Sequence, residues 1–335
     1  MRIGILTFHF ADNYGAILQC LALTEACKKN ADDVCVIDYV PKQMIPVKSR
    51  VKRFLLKNEI QKKFDDFKKT YFQTISVRES CDLIIVGSDQ VWNPQINECD
   101  PFWILPKMKY GRICSYAASI GKDQLKEEEA AYLSENSKGF EKYDVVTIRE
   151  ASGQKILKEL HVLSELVCDP TLLFYDRTGL YEELSAQSEV SMTEPYILVY
   201  ALEYSEKIDR IAKQLKNKTG CKVVAIHPMN DKLQECDEFI KNAGVCEFVA
   251  LVKNAEYVLT NSFHGLAFSY IFRKKVYCFH HSSLSSRQAE LIAKSEFATE
   301  QIEDGICYID GAQRSDALDK FVSDSEELLK KMIKG

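Results

Sequence analysis

Short apolar runs rich in β-branched residues alternate along this chain with amphipathic stretches, and that alternation is the pattern of a parallel sheet wrapped by helices. In the first half it predicts strands over 2–7, 34–38, 83–86, 113–117 and 145–149, with a helix over 16–28. The segment 167–174 closes this half, and polar residues over 176–194 read as a connection, which puts a boundary near 185. The rhythm then restarts. Strands are predicted over 196–202, 222–226, 257–260 and 275–279, and helices over 206–218, 246–254 and 263–272. A last amphipathic helix over 317–333 offers Leu318, Phe321, Leu328 and Met332 for packing.

At 335 residues the chain is longer than a single hydrophobic core supports. The expected organisation is α/β with two Rossmann-like domains, residues 1–185 carrying a helical insertion at 42–70, and residues 186–335. Hydrophobic content of 46% beside 28% charged residues is that of a globular protein. The net charge of -5 argues against a general nucleic-acid binder, which needs a basic surface to displace counterions. Twelve cysteines are scattered with no C-x-x-C spacing, so reduced thiols are expected. The first residues enter a strand pattern at once, and no apolar stretch reaches the ~18 residues of a membrane span. The expected location is therefore the cytoplasm.

Residues 42–70 depart from the acidic balance. Ten Lys or Arg stand there against three Asp or Glu, a local +7, so the rest of the chain carries -12. Leu56, Ile60, Phe64, Phe67 and Tyr71 recur at helical spacing beneath this charge. A solvated helix packed on its domain is one reading; contact with an anionic acceptor or peripheral contact with a membrane is the other.

Several chemistries lack their residues. There is no phosphate loop of the G-x-x-x-x-G-K-[ST] kind, no G-x-G-x-x-G after a strand and no G-x-S-x-G elbow. His280 and His281 are adjacent, so a strand would point them to opposite faces, and no metal is expected.

The most informative segment is Thr260-Asn261-Ser262-Phe263-His264-Gly265, where a strand ends in a polar turn and a helix begins. Ligands of open α/β sheets bind at such carboxyl ends, and free amides at a helix start attract anions. Asn261 and Ser262 can bind a donor there or simply cap the helix, and His264 can be catalytic or structural. Arg149, ending the 145–149 strand, can clamp a carboxylate or phosphate, or pair with Glu150 or another acid. Arg287 offers the same two readings. In the first half, Asn13 and Tyr14 follow the first strand, and Asp89, Gln90 and Trp92 follow the third, with Trp92 expected to be exposed as a sugar-facing ring; each cluster can equally be turn chemistry.

Taken in order, these residues resemble the polysaccharide pyruvyl transferase family. The resemblance runs through Asn13-Tyr14-Gly15-Ala16, Gly87-Ser88-Asp89-Gln90-Val91-Trp92-Asn93, Ser115-Tyr116-Ala117-Ala118-Ser119-Ile120-Gly121, Arg149-Glu150, Asp169-Pro170-Thr171 and Thr260-Asn261-Ser262-Phe263-His264-Gly265. It implies a GT-B-like fold with the donor held by the C-terminal half and the acceptor by the N-terminal half. It also implies phosphoenolpyruvate as donor substrate without a further cofactor, and a glycan or lipid-linked sugar as acceptor, joined through a cyclic pyruvate ketal. His264 matches the family's catalytic histidine, Arg149 its donor-binding arginine and, more loosely, Arg287 its further basic residue. The sequence departs from the family at Asn261, where many relatives carry aspartate, and at Gly244-Val245-Cys246, where many have a proline-containing turn.

Protonating the methylene of phosphoenolpyruvate calls for an acid with a pKa near neutral, a task suited to His264, while Asp89 can orient or deprotonate an acceptor hydroxyl. Two other readings stay open. One is a nucleotide-sugar glycosyltransferase on the same architecture; the other is a glycan-binding protein without turnover.

Overall fold

The computed structural model describes residues 1–41, 59–227, 232–279, 285–303 and 305–335. Leu56, the first part of the basic insertion, and His280 and His281 lie outside the described residues. By its contacts the chain forms two compact units, Met1–Leu173 with Lys320–Gly335, and Phe174–Asp319.

In the first unit, β1 (Arg2–Leu6) leads through α1 (Tyr14–Lys28) to β2 (Asp33–Asp38). There follow α2 (Glu59–Tyr71), β3 (Thr74–Ser76), β4 (Ser80–Val86) and β5 (Lys109–Ser115). All five strands are parallel, in the order β3-β2-β1-β4-β5. The chain builds outward from β1 on one side and returns to its other side with β4, which makes the gap between β1 and β4 the topological switch point. α1 is buried on nearly all sides, with Ile17, Leu18, Leu21 and Leu23 within 1% of full burial, and its mostly apolar sequence suits a helix enclosed by its domain. α3 (Glu127–Asn136), β6 (Thr147–Ile148), α4 (Ala151–Glu159) and β7 (Glu165–Leu166) complete the unit, β6 and β7 forming a separate two-stranded sheet. The predicted 145–149 strand is thus two residues long: Thr147 and Ile148 pair with β7, while toward β5 and the segment after it Val145 and Ile148 make only isolated bridges, to Cys114 and Ala118.

The apolar stripe of the insertion is realised where it is described. Phe64 and Phe67 on α2 are buried, and Phe64 stacks on Tyr14 with ring centroids 5.4 Å apart. Above the stripe, the Lys68 ammonium is drawn to the Asp12 carboxylate at 2.8 Å and also donates to the Phe10 carbonyl.

The second unit opens with α5 (Gly179–Ala186), read from its polar residues as connecting chain. It is a helix because Tyr181 and Leu184 are fully buried, Tyr181 lying edge-on to Phe268; the contact division accordingly falls ahead of it and not near 185. β8 (Tyr196–Tyr200), α6 (Glu206–Thr219), β9 (Lys222–Ile226), β10 (Glu238–Ile240), α7 (Val245–Asn254) and β11 (Tyr257–Thr260) follow. Then come α8 (Phe263–Ile271), β12 (Lys275–Phe279), α9 (Ser285–Ser295), β13 (Thr299–Glu303), β14 (Ile306–Asp310) and α10 (Asp316–Lys334). The sheet order is β10-β9-β8-β11-β12-β14-β13, parallel through β12 and antiparallel beyond it. Its switch point lies between β8 and β11 by the same reasoning.

α10 passes from one unit to the other. Leu318, Val322, Leu329 and Met332 are buried at helical spacing, while Phe321 and Leu328 are half-buried on the flanks of that stripe. Ser325 lies on it too, and its hydroxyl accepts from the Cys168 amide at 2.9 Å inside the first unit.

Candidate functional site

Each unit carries candidate residues at its own switch point. In the second unit, β11 ends at Thr260 and α8 begins at Phe263, so the turn between them lies beside the end of β8. Asn261 bridges that gap. Its Oδ1 accepts from the Leu202 amide at 2.7 Å and its Nδ2 donates to the Glu203 carbonyl at 2.8 Å, tying together the segments that leave the two strands.

Ser262 caps α8, its Oγ facing the Gly265 amide at 3.4 Å while its own amide donates to Thr260 Oγ1 at 3.0 Å. The helix starts this close to the strand because residue 265 has no side chain; a Cβ there would lie 2.2 Å from Thr260 Oγ1 and 3.1 Å from the Tyr200 ring. Tyr200 is buried, which pushes its phenol up to about 12 against the lowering effect of its hydrogen bond with Ser262.

His264 occupies the first turn of α8, 9% exposed and edge-on to Phe263 at 5.2 Å between ring centroids. Arg287, in the first turn of α9, is 6% exposed, and α9 packs on α8. A histidine that sequence reading passed over belongs to the same edge. His227 directly follows β9, has a left-handed backbone (φ 80°) and stands edge-on to Tyr200 at 6.0 Å. Burial holds its imidazole below the ordinary value, favouring the neutral form. Its signal in the sequence was a polar residue directly after the 222–226 strand.

In the first unit the loops after β1 and β4 are locked to each other. Thr7 Oγ1 donates to the Ser88 carbonyl at 2.9 Å, and Gln19, on α1, donates to Thr7 Oγ1 at 2.9 Å. Gly87 adopts φ +110°, with the Tyr116 carbonyl 2.5 Å from where a Cβ would stand. Asp89 is also left-handed, at φ 70°, and its Oδ1 accepts from the Gln90 amide at 2.8 Å. Gln90 Oε1 accepts in turn from Asn93. Asn13 is exposed and caps α1 through the Ala16 amide, whereas Tyr14 is buried under Phe64.

Trp92 is not the exposed ring expected of it. It is fully buried, its indole N–H donates to the Trp103 carbonyl at 3.0 Å, and its ring packs edge-to-face with Phe140, the centroids 4.9 Å apart. The indole has found both an apolar bed and a partner for its single donor, so no ring face is left to stack on a sugar.

Arg149 stands behind the 87–90 turn among three carboxylates. Its Nη1 lies 2.5 Å from Asp169 Oδ2, its Nη2 3.8 Å from Asp89 Oδ1 and its Nε 4.0 Å from Glu150 Oε2. Burial alone would lower its pKa, but Asp169, Asp89 and Glu150 outweigh that and hold it above the ordinary value. The acids are themselves engaged: Asp169 accepts from Thr171, and Glu150 Oε1 from the Ile120 and Gly121 amides. The guanidinium thus joins the 87–90 turn to the segments around 120 and 169.

A second unforeseen histidine sits at this edge. His9 is 6% exposed, with Nδ1 3.2 Å from the Thr7 carbonyl and Nε2 3.4 Å from Asp38 Oδ1. Burial lowers its pKa more than Asp38 raises it. All twelve cysteines are free. Among the described residues there is no cluster of three or more potential metal ligands, and no helix is long and apolar enough to cross a membrane.

Solved structures similar to the chain include the UDP-GlcNAc 2-epimerase of Neisseria meningitidis bound to UDP-GlcNAc, 10% identical with a TM-score of 0.51, all of both chains being covered. A protein described as a UDP-N-acetylglucosamine 2-epimerase from Listeria monocytogenes is 9% identical with a TM-score of 0.53, covering 100% of this chain and 91% of its own. At such identities the likeness shows the fold alone, α/β of the GT-B kind. No curated protein matches the chain. The family model of polysaccharide pyruvyl transferase matches residues 13–283, a span that holds the 87–90 turn, Arg149 and His264, and the chain belongs to that family of transferases.

Proposed function

We propose that the protein transfers a pyruvyl group from phosphoenolpyruvate to a glycan or lipid-linked sugar, leaving a cyclic ketal across two hydroxyls. His264 gives a proton to the methylene carbon, which becomes the methyl group, as the neighbouring carbon gains positive character. Two acceptor hydroxyl oxygens bond to that carbon, the carbon–oxygen bond to phosphate breaks, and the hydroxyl protons leave with phosphate and to a base. Asp89 is the base assigned to the first hydroxyl. The observation that carries this reading is the family match over 13–283, with His264 in a helix start at the switch point of the second unit.

The donor's carboxylate and phosphate call for fixed positive partners. Arg287 supplies one and the first amides of α8 another, a helix start carrying about +0.5 of a charge. Arg149 and Ser262 remain in the proposal as donor residues, with Asn261 holding the loop that presents Ser262. Asn13, Tyr14 and Gln90 remain on the acceptor side, and Trp92, being buried, is withdrawn.

A phosphate-release assay with phosphoenolpyruvate over a panel of glycans tests the reading. His264→Ala should lower turnover by about 10²–10⁴, the usual contribution of a positioned acid. Release of a nucleotide from a nucleotide sugar, with none of phosphate from phosphoenolpyruvate, would favour the reading suggested by the UDP-GlcNAc bound to the Neisseria protein.

A further inference from the structure

A pocket of about 580 Å³ opens at the amino edge of the first unit's sheet, where Lys109 at the start of β5 pairs with Ser80 at the start of β4. The 87–90 turn lies beyond the other end of the same strands. Ile104, Leu105 and Met108 give the pocket an apolar lining, and Lys107, Lys109 and Lys138 line it with positive charge. Glu135 is its one acid, and none of the three lysines is ion-paired among the described residues. Tyr110 adds an aromatic wall, its phenol held above the ordinary value by burial.

Three lysines line this one pocket against the single acid Glu135, a local excess of positive charge that an anion would offset. Ammonium groups act as point charges and suit the several oxygens of a phosphate; planar recognition of a carboxylate favours arginine. Inorganic phosphate alone would leave most of the volume and the apolar lining unused, since a pocket of several hundred Å³ fits a larger molecule. We infer that this pocket binds a phosphate monoester bearing an apolar group, with the phosphate among Lys107, Lys109 and Lys138 and the apolar part on Ile104, Leu105 and Met108.

Calorimetric titration of the full chain tests this with octyl phosphate below its micelle concentration, inorganic phosphate and octanol. Octyl phosphate should bind at least about tenfold more tightly than either of the others, a difference of ~1.4 kcal/mol. A triple Lys107→Gln, Lys109→Gln, Lys138→Gln variant, unfolding at no lower temperature than wild type, should lose at least that factor, and Leu105→Asn should lose it with the charge of the pocket unchanged. Sedimentation with phosphatidylcholine vesicles containing phosphatidic acid identifies the source. Pelleting by wild type and not by the triple variant marks a lipid headgroup; octyl phosphate binding without pelleting marks a soluble ester. Absence of octyl phosphate binding, or equal binding by wild type and triple variant, overturns the inference.

Discussion

Arg149 Nη1 and Asp169 Oδ2 lie 2.5 Å apart, with side chains 2% and 0% exposed. An ion pair removed from water to this degree is costly to split, because the partner left behind is a buried, uncompensated charge.

Arg149→Met should therefore destabilise the protein by about 3–5 kcal/mol. Joint replacement of Arg149 by Met and Asp169 by Leu should recover part of that loss. Urea unfolding followed by circular dichroism measures both. If Arg149→Met is as stable as wild type yet loses phosphoenolpyruvate turnover, the guanidinium serves the donor and not the turn.

Gly265→Ala places a methyl group 2.2 Å from Thr260 Oγ1. The start of α8 must shift, at ~1–3 kcal/mol for an overpacked position, and His264 shifts with it. A thermal melt paired with the phosphate-release assay should show turnover falling by more than the loss of folded protein explains. Unchanged turnover would mean that the placing of α8 against β11 is not critical.

The pKa of His9 is depressed on folding, so the unfolded chain takes up a proton first as pH falls. Its stabilising contribution is complete above the unfolded value of 6.5 and is lost as pH falls toward the lower, folded value. Chemical unfolding between pH 7.5 and 5.5 should show stability declining with acid, and His9→Gln should flatten the decline. His227 is depressed in the same direction, so a residual slope should persist until it too is replaced.

Trp92 and Trp103 are the chain's only two tryptophans, and both are fully buried. Intrinsic emission should be blue-shifted and resistant to acrylamide until the protein is denatured. Strong quenching in the native state would place at least one indole at the surface. A thiol titration gives an independent view of the same packing. Cys99 is exposed and should react first, whereas Cys168, buried and pushed up to about 12, should wait for unfolding.

The central strands were legible in the sequence because they are buried on both faces. β9 (Lys222–Ile226), β11 (Tyr257–Thr260) and β12 (Lys275–Phe279) were read with the ends they have, as unbroken apolar runs between polar turns. β13 was not, since Thr299–Glu303 is a polar edge strand defined by its pairing with β14. β10 is three residues long, too short to show a period. The loops at both switch points could be located from their turn residues, but side-chain direction could not: Trp92 and Gln90 are two residues apart, one wholly buried and the other partly exposed. His9 and His227 escaped notice because a single histidine after a strand has no spacing to mark it.

The helix α10 gives the first unit an unusual dependence on synthesis order. Most of that unit leaves the ribosome as residues 1–173, yet the hydroxyl that Cys168 donates to and the Leu329 and Met332 side chains arrive with residues 320–335. Until then the Cys168 amide lacks its hydroxyl partner and the surface that α10 covers stays exposed, and a chain cut short before residue 320 never covers it. The last turns of the sequence thereby act as a latch on its beginning, and a C-terminal deletion is felt at the N-terminal fold.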